Sequence, residues 1–146
     1  MTPSQKAIDI IKKCEGLELT AYKCSAGKWT IGFGSTMYDT GEKVKEGDVI
    51  TKERAEELLM WELKRKSLMI RARVNQNQFD ALCSLCYNIG IGALLDSALY
   101  KKVRINSNDP GIRNEFMRWK FAGGKVSQGL LNRRKDEADL YFNPNL

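Results

Sequence analysis

Acid chemistry is the first possibility raised by the residues near the N-terminus. Glu15 lies directly before Gly16 in the stretch CEGLELTAYKCSAGKWTIGFGS, which runs from Cys14 to Ser35. Gly16 is a natural left-handed helix terminator, so Glu15 is expected at the C-terminus of the first helix. That end of a helix dipole is negative and disfavours a further negative charge, which suits a proton donor. An exposed acid at a frayed helix end is the alternative interpretation.

Several other chemistries are excluded or weakened by the composition. The chain has no histidine, which excludes serine or cysteine catalysis with a histidine base. It has no GxGxxG motif and no P-loop. The cysteines lack the paired CxxC spacing of a zinc site, and we predict that all of them are buried free thiols: Cys14, Cys24, Cys83 and Cys86. Acid catalysis by carboxylates remains.

Size and charge limit the class of partner. The 146 residues, 42% of them hydrophobic, suffice for one domain with a real core. The net charge of +6 favours an anionic partner, either nucleic acid or the bacterial cell envelope. Basic pairs such as Arg133-Arg134 are scattered over separate predicted helices without a nucleic-acid-binding motif, so we predict no nucleic-acid partner. The sequence shows no signal peptide and no apolar run long enough to span a membrane, which predicts synthesis in a cytosol.

The elements around Glu15 are a helix and a hairpin. Thr2, Pro3 and Gln5 form a helix-start signal for the first helix. After Gly16, the β-forming segments 20–24 and 29–34 flank a turn and predict a hairpin. A short third strand is expected near residues 43–45.

The rest of the chain predicts helices that support this hairpin. Thr51 caps a long helix over residues 52–66, Asn75 caps one that ends near residues 88–90, and Ser127 caps the last. Further predicted elements are a short helix through Leu94, Leu95 and Leu99, a helix from Asp109-Pro110 to about Trp119, and a loop at Gly123-Gly124. The predicted fold class is α+β and mainly helical, with one small sheet near the N-terminus.

The spacing of three residues resembles a known family. Glu15, Cys24 and Thr30 are separated by eight and five residues within EGLELTAYKCSAGKWTIGFG. The same spacing of Glu, Asp or Cys, and Thr is typical of the bacteriophage lysozymes, or endolysins, of glycoside hydrolase family 24, which are muramidases. Further matching segments are Val44–Thr51, Asn77–Leu82 with Asn88–Gly90, and Gly129–Arg134 with Glu137.

The resemblance implies a phage-lysozyme fold in a single domain over residues 1–146. A small β-containing lobe would cover residues 14–51 and a long linking helix residues 52–67. Residues 68–146 and the N-terminal helix would form a helical lobe. The substrate cleft would lie between the two lobes.

The resemblance also implies residue roles. Glu15 would be the general acid that protonates the glycosidic oxygen between N-acetylmuramic acid and N-acetylglucosamine, and Thr30 would hold the attacking water. Arg133 would pair with Glu15, with Arg134 as the alternative partner. Further support of the site or the substrate is expected from the segment Gly32, Phe33 and Gly34. No metal and no cofactor is implied.

Two positions depart from the family pattern. Cys24 stands where many relatives have Asp, and a thiol is mostly neutral at pH 7 unless its surroundings lower its pKa. Lys23 and Lys28 could favour the thiolate, and a thiol that only packs in the hairpin is the alternative. Ser35 stands where relatives often have a structural His, so its effect is expected on stability more than on catalysis.

The function implied by the resemblance is hydrolysis of bacterial peptidoglycan at phage release. The partners would be glycan strands, and the enzyme would act as a monomer. It would be made in the host cytoplasm, without membrane insertion, and would reach the cell wall through a holin-formed lesion. The alternative is a catalytically impaired peptidoglycan-binding or phage structural module with the same fold.

Overall fold

Seven α-helices and two small antiparallel sheets make up the described part of this computed structural model, which covers residues 1–144. The α-helices are α1 Gln5–Cys14, α2 Lys52–Lys66, α3 Gln76–Ile89, α4 Ile91–Asp96, α5 Ala98–Ile105, α6 Ile112–Met117 and α7 Gln128–Tyr141. The strands are β1 Glu18–Lys23, β2 Trp29–Gly32, β3 Phe121–Ala122 and β4 Lys125–Val126. The α+β, mainly helical fold class is confirmed.

Helix α1 begins and ends differently from the prediction. Its N-cap is Ser4, whose hydroxyl accepts from the amide of Lys6, and not Thr2. Asp80 on α3 accepts from the Ser4 amide at 2.8 Å, and this tertiary contact helps fix the start of the helix. At the other end Glu15 is the C-cap in an extended conformation, and Gly16 has no positive φ. The chain therefore leaves α1 at Glu15 and runs almost directly into β1.

The hairpin β1–β2 follows as predicted, with Tyr22 opposite Thr30 and a register shift between Glu18 and Tyr22. The predicted third strand is wrong, because only one isolated bridge, between Met37 and Lys43, forms in that region. Residues 48–50 instead run along the outer edge of β1: the amide of Ala21 donates to the carbonyl of Asp48 at 2.9 Å.

The long helix α2 confirms its prediction at both ends. The Thr51 hydroxyl caps it by accepting from the amide of Arg54, and the helix ends at Lys66, before a short 3₁₀ turn at Ser67–Met69. Its buried stripe is Ala55, Leu58, Leu59 and Leu63. Gly32 lies against this helix: a Cβ at Gly32 would be 3.3 Å from the Cβ of Ala55, so the glycine lets the hairpin pack closely on α2.

Helix α3 is the central element of the core. It begins with a capping box between Asn75 and Gln78, and every residue over 77–86 is buried. A helix that is buried all round lies inside the fold, and α1 and α7 pack against it. Cys83 and Cys86 are buried free thiols as predicted. Cys14 and Cys24 are also free but not buried, so that part of the prediction is wrong.

The C-terminal part departs from the prediction in three places. The predicted helix through Leu94–Leu99 is divided into α4 and α5, because Ser97 adopts an extended conformation and its hydroxyl caps α5. Helix α6 is shorter than predicted. Gly123-Gly124 forms the predicted loop with positive φ at both glycines, but the segments on either side of it pair into a second small sheet, where only one sheet was predicted.

Candidate active site

Glu15 lies at the point where α1 gives way to the hairpin, with about a third of its side chain (34%) exposed. Its Oε1 lies 3.4 Å from Nη1 of Arg133 on α7. The Arg133 side chain is only 3% exposed. The candidate acid is therefore open to solvent on one side and held by a buried cation on the other.

Arg133 is fixed in place by a buried network on α7 and α3. Its Nε lies 3.3 Å from Oε2 of Glu137, and its Nη2 donates to the carbonyl of Ser84 at 3.0 Å. Ser84 also donates its hydroxyl proton to Glu137 at 2.5 Å. Burial raises the pKa of Glu137, and the charges of Arg134 and Arg133 partly offset this effect. The network gives Arg133 one orientation, aimed at Glu15.

Arg134 belongs to the same network but points away from Glu15. Its Nε lies 2.8 Å from Oε1 of Glu137, and its Nη1 donates to the side chain of Asn88 at 2.9 Å and to the carbonyl of Trp119 at 3.3 Å. The structure therefore pairs Glu15 with Arg133 and uses Arg134 to connect α7 with α3 and with the segment before β3.

A pocket of about 440 Å³ opens beside Glu15 and Arg133. Its other walls come from Asn88 at the end of α3 and from the first turns of α7, including Leu130 and Asn132. A pocket of this size is typical of a small-ligand site and could hold part of a larger polymer. Glu15 is one of the residues that line this pocket, so a ligand bound there would lie beside it.

Cys24 and Thr30 lie together at the turn of the first hairpin. The Thr30 hydroxyl donates to the carbonyl of Lys28 at 3.0 Å, and the Cys24 amide donates to the same carbonyl at 2.9 Å. Hydrogen bonds from the backbone of Lys28, from the Thr30 hydroxyl and from the backbone of Ala26 lower the pKa of the Cys24 thiol. Hydrogen bonding, more than the lysine charges suggested by the sequence, therefore favours the thiolate.

Within residues 1–144 no hydrogen bond or ion pair joins this pair of side chains to Glu15. The structure thus forms two separate groups: Glu15 with Arg133, and Cys24 with Thr30. The hairpin connects them, because β1 follows Glu15 and leads directly to Cys24.

Of the three remaining predicted residues, Gly32 ends β2, and Phe33 and Gly34 form the turn that follows it. Phe33 is a core residue with 3% exposure, so its side chain supports the site and is not placed to touch a ligand. Gly34 has φ +105° and lines a second pocket of about 340 Å³. Ser35, at the position of the expected His, is buried and pairs with Ile31 through two backbone hydrogen bonds of 2.8 Å each.

Comparison with known proteins gives the family. The family model described as Phage lysozyme matches residues 12–137. The chain belongs to the phage lysozyme family. This membership identifies it as a lysozyme-type hydrolase, an endolysin of phage-mediated host lysis.

The relatives of this phage lysozyme cover nearly all of it. It is 39% identical over 146 residues to the endolysin of Acyrthosiphon pisum secondary endosymbiont phage 1, a match that covers 94% of this chain and 96% of that protein. It is 38% identical to the endolysin of Bacillus phage B103, over 97% of this chain but 54% of that protein, so it spans about half the length of that relative.

A solved structure and one further relative complete the comparison. The endolysin from Escherichia coli O157:H7 phage FAHEc1 superposes with a TM-score of 0.86 at 41% identity, covering 98% of this chain and 94% of that chain. The SAR-endolysin of Enterobacteria phage P21 is 33% identical over 86% of this chain and 76% of that protein. Between residues 1 and 144, no helix of this lysozyme combines the length and hydrophobicity needed to cross a bilayer.

Sequence reasoning missed the role of Glu137 and the contribution of Ser84. Glu137 enters the sequence comparison only as a residue that matches the family pattern. Its position four residues after Arg133 and three after Arg134 places its side chain next to both on a helix. That spacing was a usable signal. Nothing in the sequence marks Ser84, because its two contacts join positions 49 and 53 residues apart.

Proposed function

We propose that this chain hydrolyses the β-1,4 bond between N-acetylmuramic acid and N-acetylglucosamine in peptidoglycan, with Glu15 as the general acid. The observation that carries the proposal is the Glu15 carboxyl group, partly exposed at a pocket and backed by the buried Arg133 at 3.4 Å. Glycoside hydrolysis requires an acid positioned to protonate the leaving oxygen. Glu15 is accessible enough to reach such an oxygen.

Arg133 would act on Glu15 in two ways. Its guanidinium restricts the carboxyl group to one orientation, since Arg133 is itself held by Glu137 and by the carbonyl of Ser84. After Glu15 has given its proton to the leaving oxygen, the resulting carboxylate faces the positive charge of Arg133 and is stabilised by it.

Thr30 and Cys24 would act on the water. The single hydroxyl proton of Thr30 is donated within the hairpin turn, either to the carbonyl of Lys28 or to the thiolate of Cys24, so the lone pairs of Thr30 remain available to accept a hydrogen bond from an attacking water. Cys24, whose thiolate is favoured by the hairpin turn, would supply the negative charge that a carboxylate supplies in other members of the family.

The position of the new reducing ends tests the proposed reaction. We expect digestion of purified peptidoglycan, followed by borohydride reduction and mass analysis, to show reduced N-acetylmuramic acid at the ends of the soluble fragments. Reduced N-acetylglucosamine would contradict the assignment of the bond. If the protein binds the wall but releases no soluble fragments, the result would instead support the alternative hypothesis, a catalytically impaired peptidoglycan-binding module.

Substitution of Cys24 tests its role. We expect Cys24→Ser to lower kcat by about 10²-fold, because a serine hydroxyl stays neutral at pH 7, whereas the loss of one charge-stabilising group costs about this much. Cys24→Asp is expected to keep most of the activity, since it restores a negative charge. Initial rates of peptidoglycan clearing at pH 7 measure both. Unchanged activity in Cys24→Ser would reduce the thiol to a packing role.

The remaining parts of the proposal concern the context of the reaction. Glycan strands would be the partner, with approach to the anionic wall favoured by the net charge of +6. The monomeric state, the two-lobe division and release through a holin rest on the family resemblance. One relative is called a SAR-endolysin, so release without a holin is the alternative route.

A further inference from the structure

Tyr87 on α3 makes a contact that the proposed chemistry does not use. Its hydroxyl donates a hydrogen bond to the carbonyl of Phe33, with 3.2 Å between the two oxygens. Phe33 lies in the turn that follows β2, and Tyr87 is one helical turn beyond Ser84, whose carbonyl holds Arg133. This hydrogen bond therefore joins the turn after Thr30 to the helix that supports the Glu15–Arg133 pair.

The turn that receives the hydrogen bond is closely tied to Thr30. Ile31, the residue after Thr30, exchanges two backbone hydrogen bonds of 2.8 Å with Ser35, which closes residues 32–34 into a tight loop. A Cβ at Gly34 would lie 3.9 Å from the Tyr87 hydroxyl, so the loop backbone runs directly past it. Any displacement of the loop would move Thr30 with it.

Neighbouring groups on helix α2 hold the Tyr87 side chain in place. Burial raises the pKa of the Glu62 carboxyl group on α2, and interactions with the side chains of Ser35 and Tyr87 partly offset this effect. Lys66, one turn further along α2, has its ammonium 4.4 Å from the centroid of the Tyr87 ring and 3.9 Å from Oε2 of Glu62. Helix α2, helix α3 and the loop thus meet at one side chain.

The Tyr87 hydroxyl remains a proton donor at neutral pH. Burial is the main cause of its raised pKa, and the charges of Glu62 and Glu15 raise it further, while Arg133 partly offsets them.

We infer that Tyr87 is a positioning residue of the hydrolysis, whose hydroxyl holds the loop after β2, and with it Thr30, at a fixed place relative to Glu15 and Arg133. This inference rests on the proposed function. The tyrosine acts through the Phe33 carbonyl and not by touching the substrate. Because an acid and a water-holding group must both be in place for the same bond, a loop that shifts slows the reaction without removing either group.

Tyr87→Phe tests the inference, with Tyr141→Phe as its matched control. The Tyr141 hydroxyl also donates to a backbone carbonyl, that of Ser107 at 2.7 Å, but the contact lies away from the loop. We expect Tyr87→Phe to lower kcat on peptidoglycan by about 10- to 100-fold with little change in KM, since a misplacement of about 1 Å costs this much. Tyr141→Phe should keep the wild-type kcat even where its melting temperature falls.

Amide NMR provides a readout that does not depend on turnover. The Gly34 amide shares a peptide unit with the Phe33 carbonyl, so loss of the hydrogen bond should shift its resonance in Tyr87→Phe and leave it unchanged in Tyr141→Phe. A wild-type kcat in Tyr87→Phe, an unshifted Gly34 amide, or a kcat loss that follows melting temperature in both variants would overturn the inference. A wild-type chain that releases no fragments would overturn the proposed function itself, so the two failures are distinguishable.

Discussion

Glu15→Gln is expected to reduce peptidoglycan hydrolysis by about 10²- to 10⁴-fold, the usual contribution of a general acid. Glutamine has nearly the same shape as glutamate and can still accept the Arg133 hydrogen bond, but it has no proton to give to the leaving oxygen. Binding of the variant to insoluble peptidoglycan should remain, because the pocket beside residue 15 keeps its walls. Release of soluble reducing ends and a pull-down with purified walls measure the two properties.

Glu18→Gln is the matched control for this variant. Glu18 is an exposed acid at the start of β1, three residues after Glu15, and its substitution removes the same charge. Hydrolysis should be retained in Glu18→Gln. If Glu15→Gln still clears the wall at the wild-type rate, Glu15 is not the acid. If both variants lose activity equally, the effect comes from net charge and not from proton transfer.

Glu137→Gln is expected to destabilise the fold by about 3–5 kcal/mol, the usual cost of removing one partner from a buried ion pair. The Glu137 side chain is fully buried between Arg133 and Arg134, so bulk solvent cannot screen the two cations when the negative charge is lost. Arg134 would then lose the carboxylate that lies 2.8 Å from its Nε, and Arg133 would keep only the partly exposed Glu15. Urea unfolding followed by circular dichroism gives the free energy of unfolding for comparison with the wild type.

Glu115→Gln provides the contrast for the buried cluster. Glu115 also pairs with two cations, Lys102 and Arg118, but both are substantially exposed, so its loss should cost about 0–1 kcal/mol. A Glu137→Gln variant as stable as Glu115→Gln would show that the cluster does not stabilise the fold. We also expect Glu137→Gln to have low activity, because Arg133 loses the carboxylate that holds its Nε at 3.3 Å and is then less well fixed beside Glu15.

The elements with strong local signals were predicted well. Helices α2, α3 and α7 each begin directly after the predicted cap, Thr51, Asn75 and Ser127, because a capping side chain bonds only to amides within its own first turn. The hairpin β1–β2 also follows from residues close together in the chain, namely two β-forming segments around a four-residue turn.

The predictions that failed depended on contacts beyond the local sequence. The N-cap of α1 is Ser4 and not Thr2 as predicted, because Asp80, which is 76 residues away in the chain, accepts a hydrogen bond from the Ser4 amide. The expected third strand found no partner except a single bridge at Lys43. The loop at Gly123-Gly124 was predicted correctly, but the pairing of Phe121 with Val126 that makes it the tip of a hairpin was not.

The candidate site also combines features that the local sequence encodes with features that depend on distant contacts. The sequence by itself was enough to propose which side chains carry the chemistry, because the spacing of Glu15, Cys24 and Thr30 is a property of one short segment. It could not decide between Arg133 and Arg134, since neighbours on a helix point in different directions and the choice depends on how α7 packs. In the tertiary structure Arg133 pairs with Glu15, which is 118 residues away in the chain. Tyr87 likewise bonds to Phe33, which is 54 residues away. Contacts of this kind arise from packing around α3, and no local pattern encodes them.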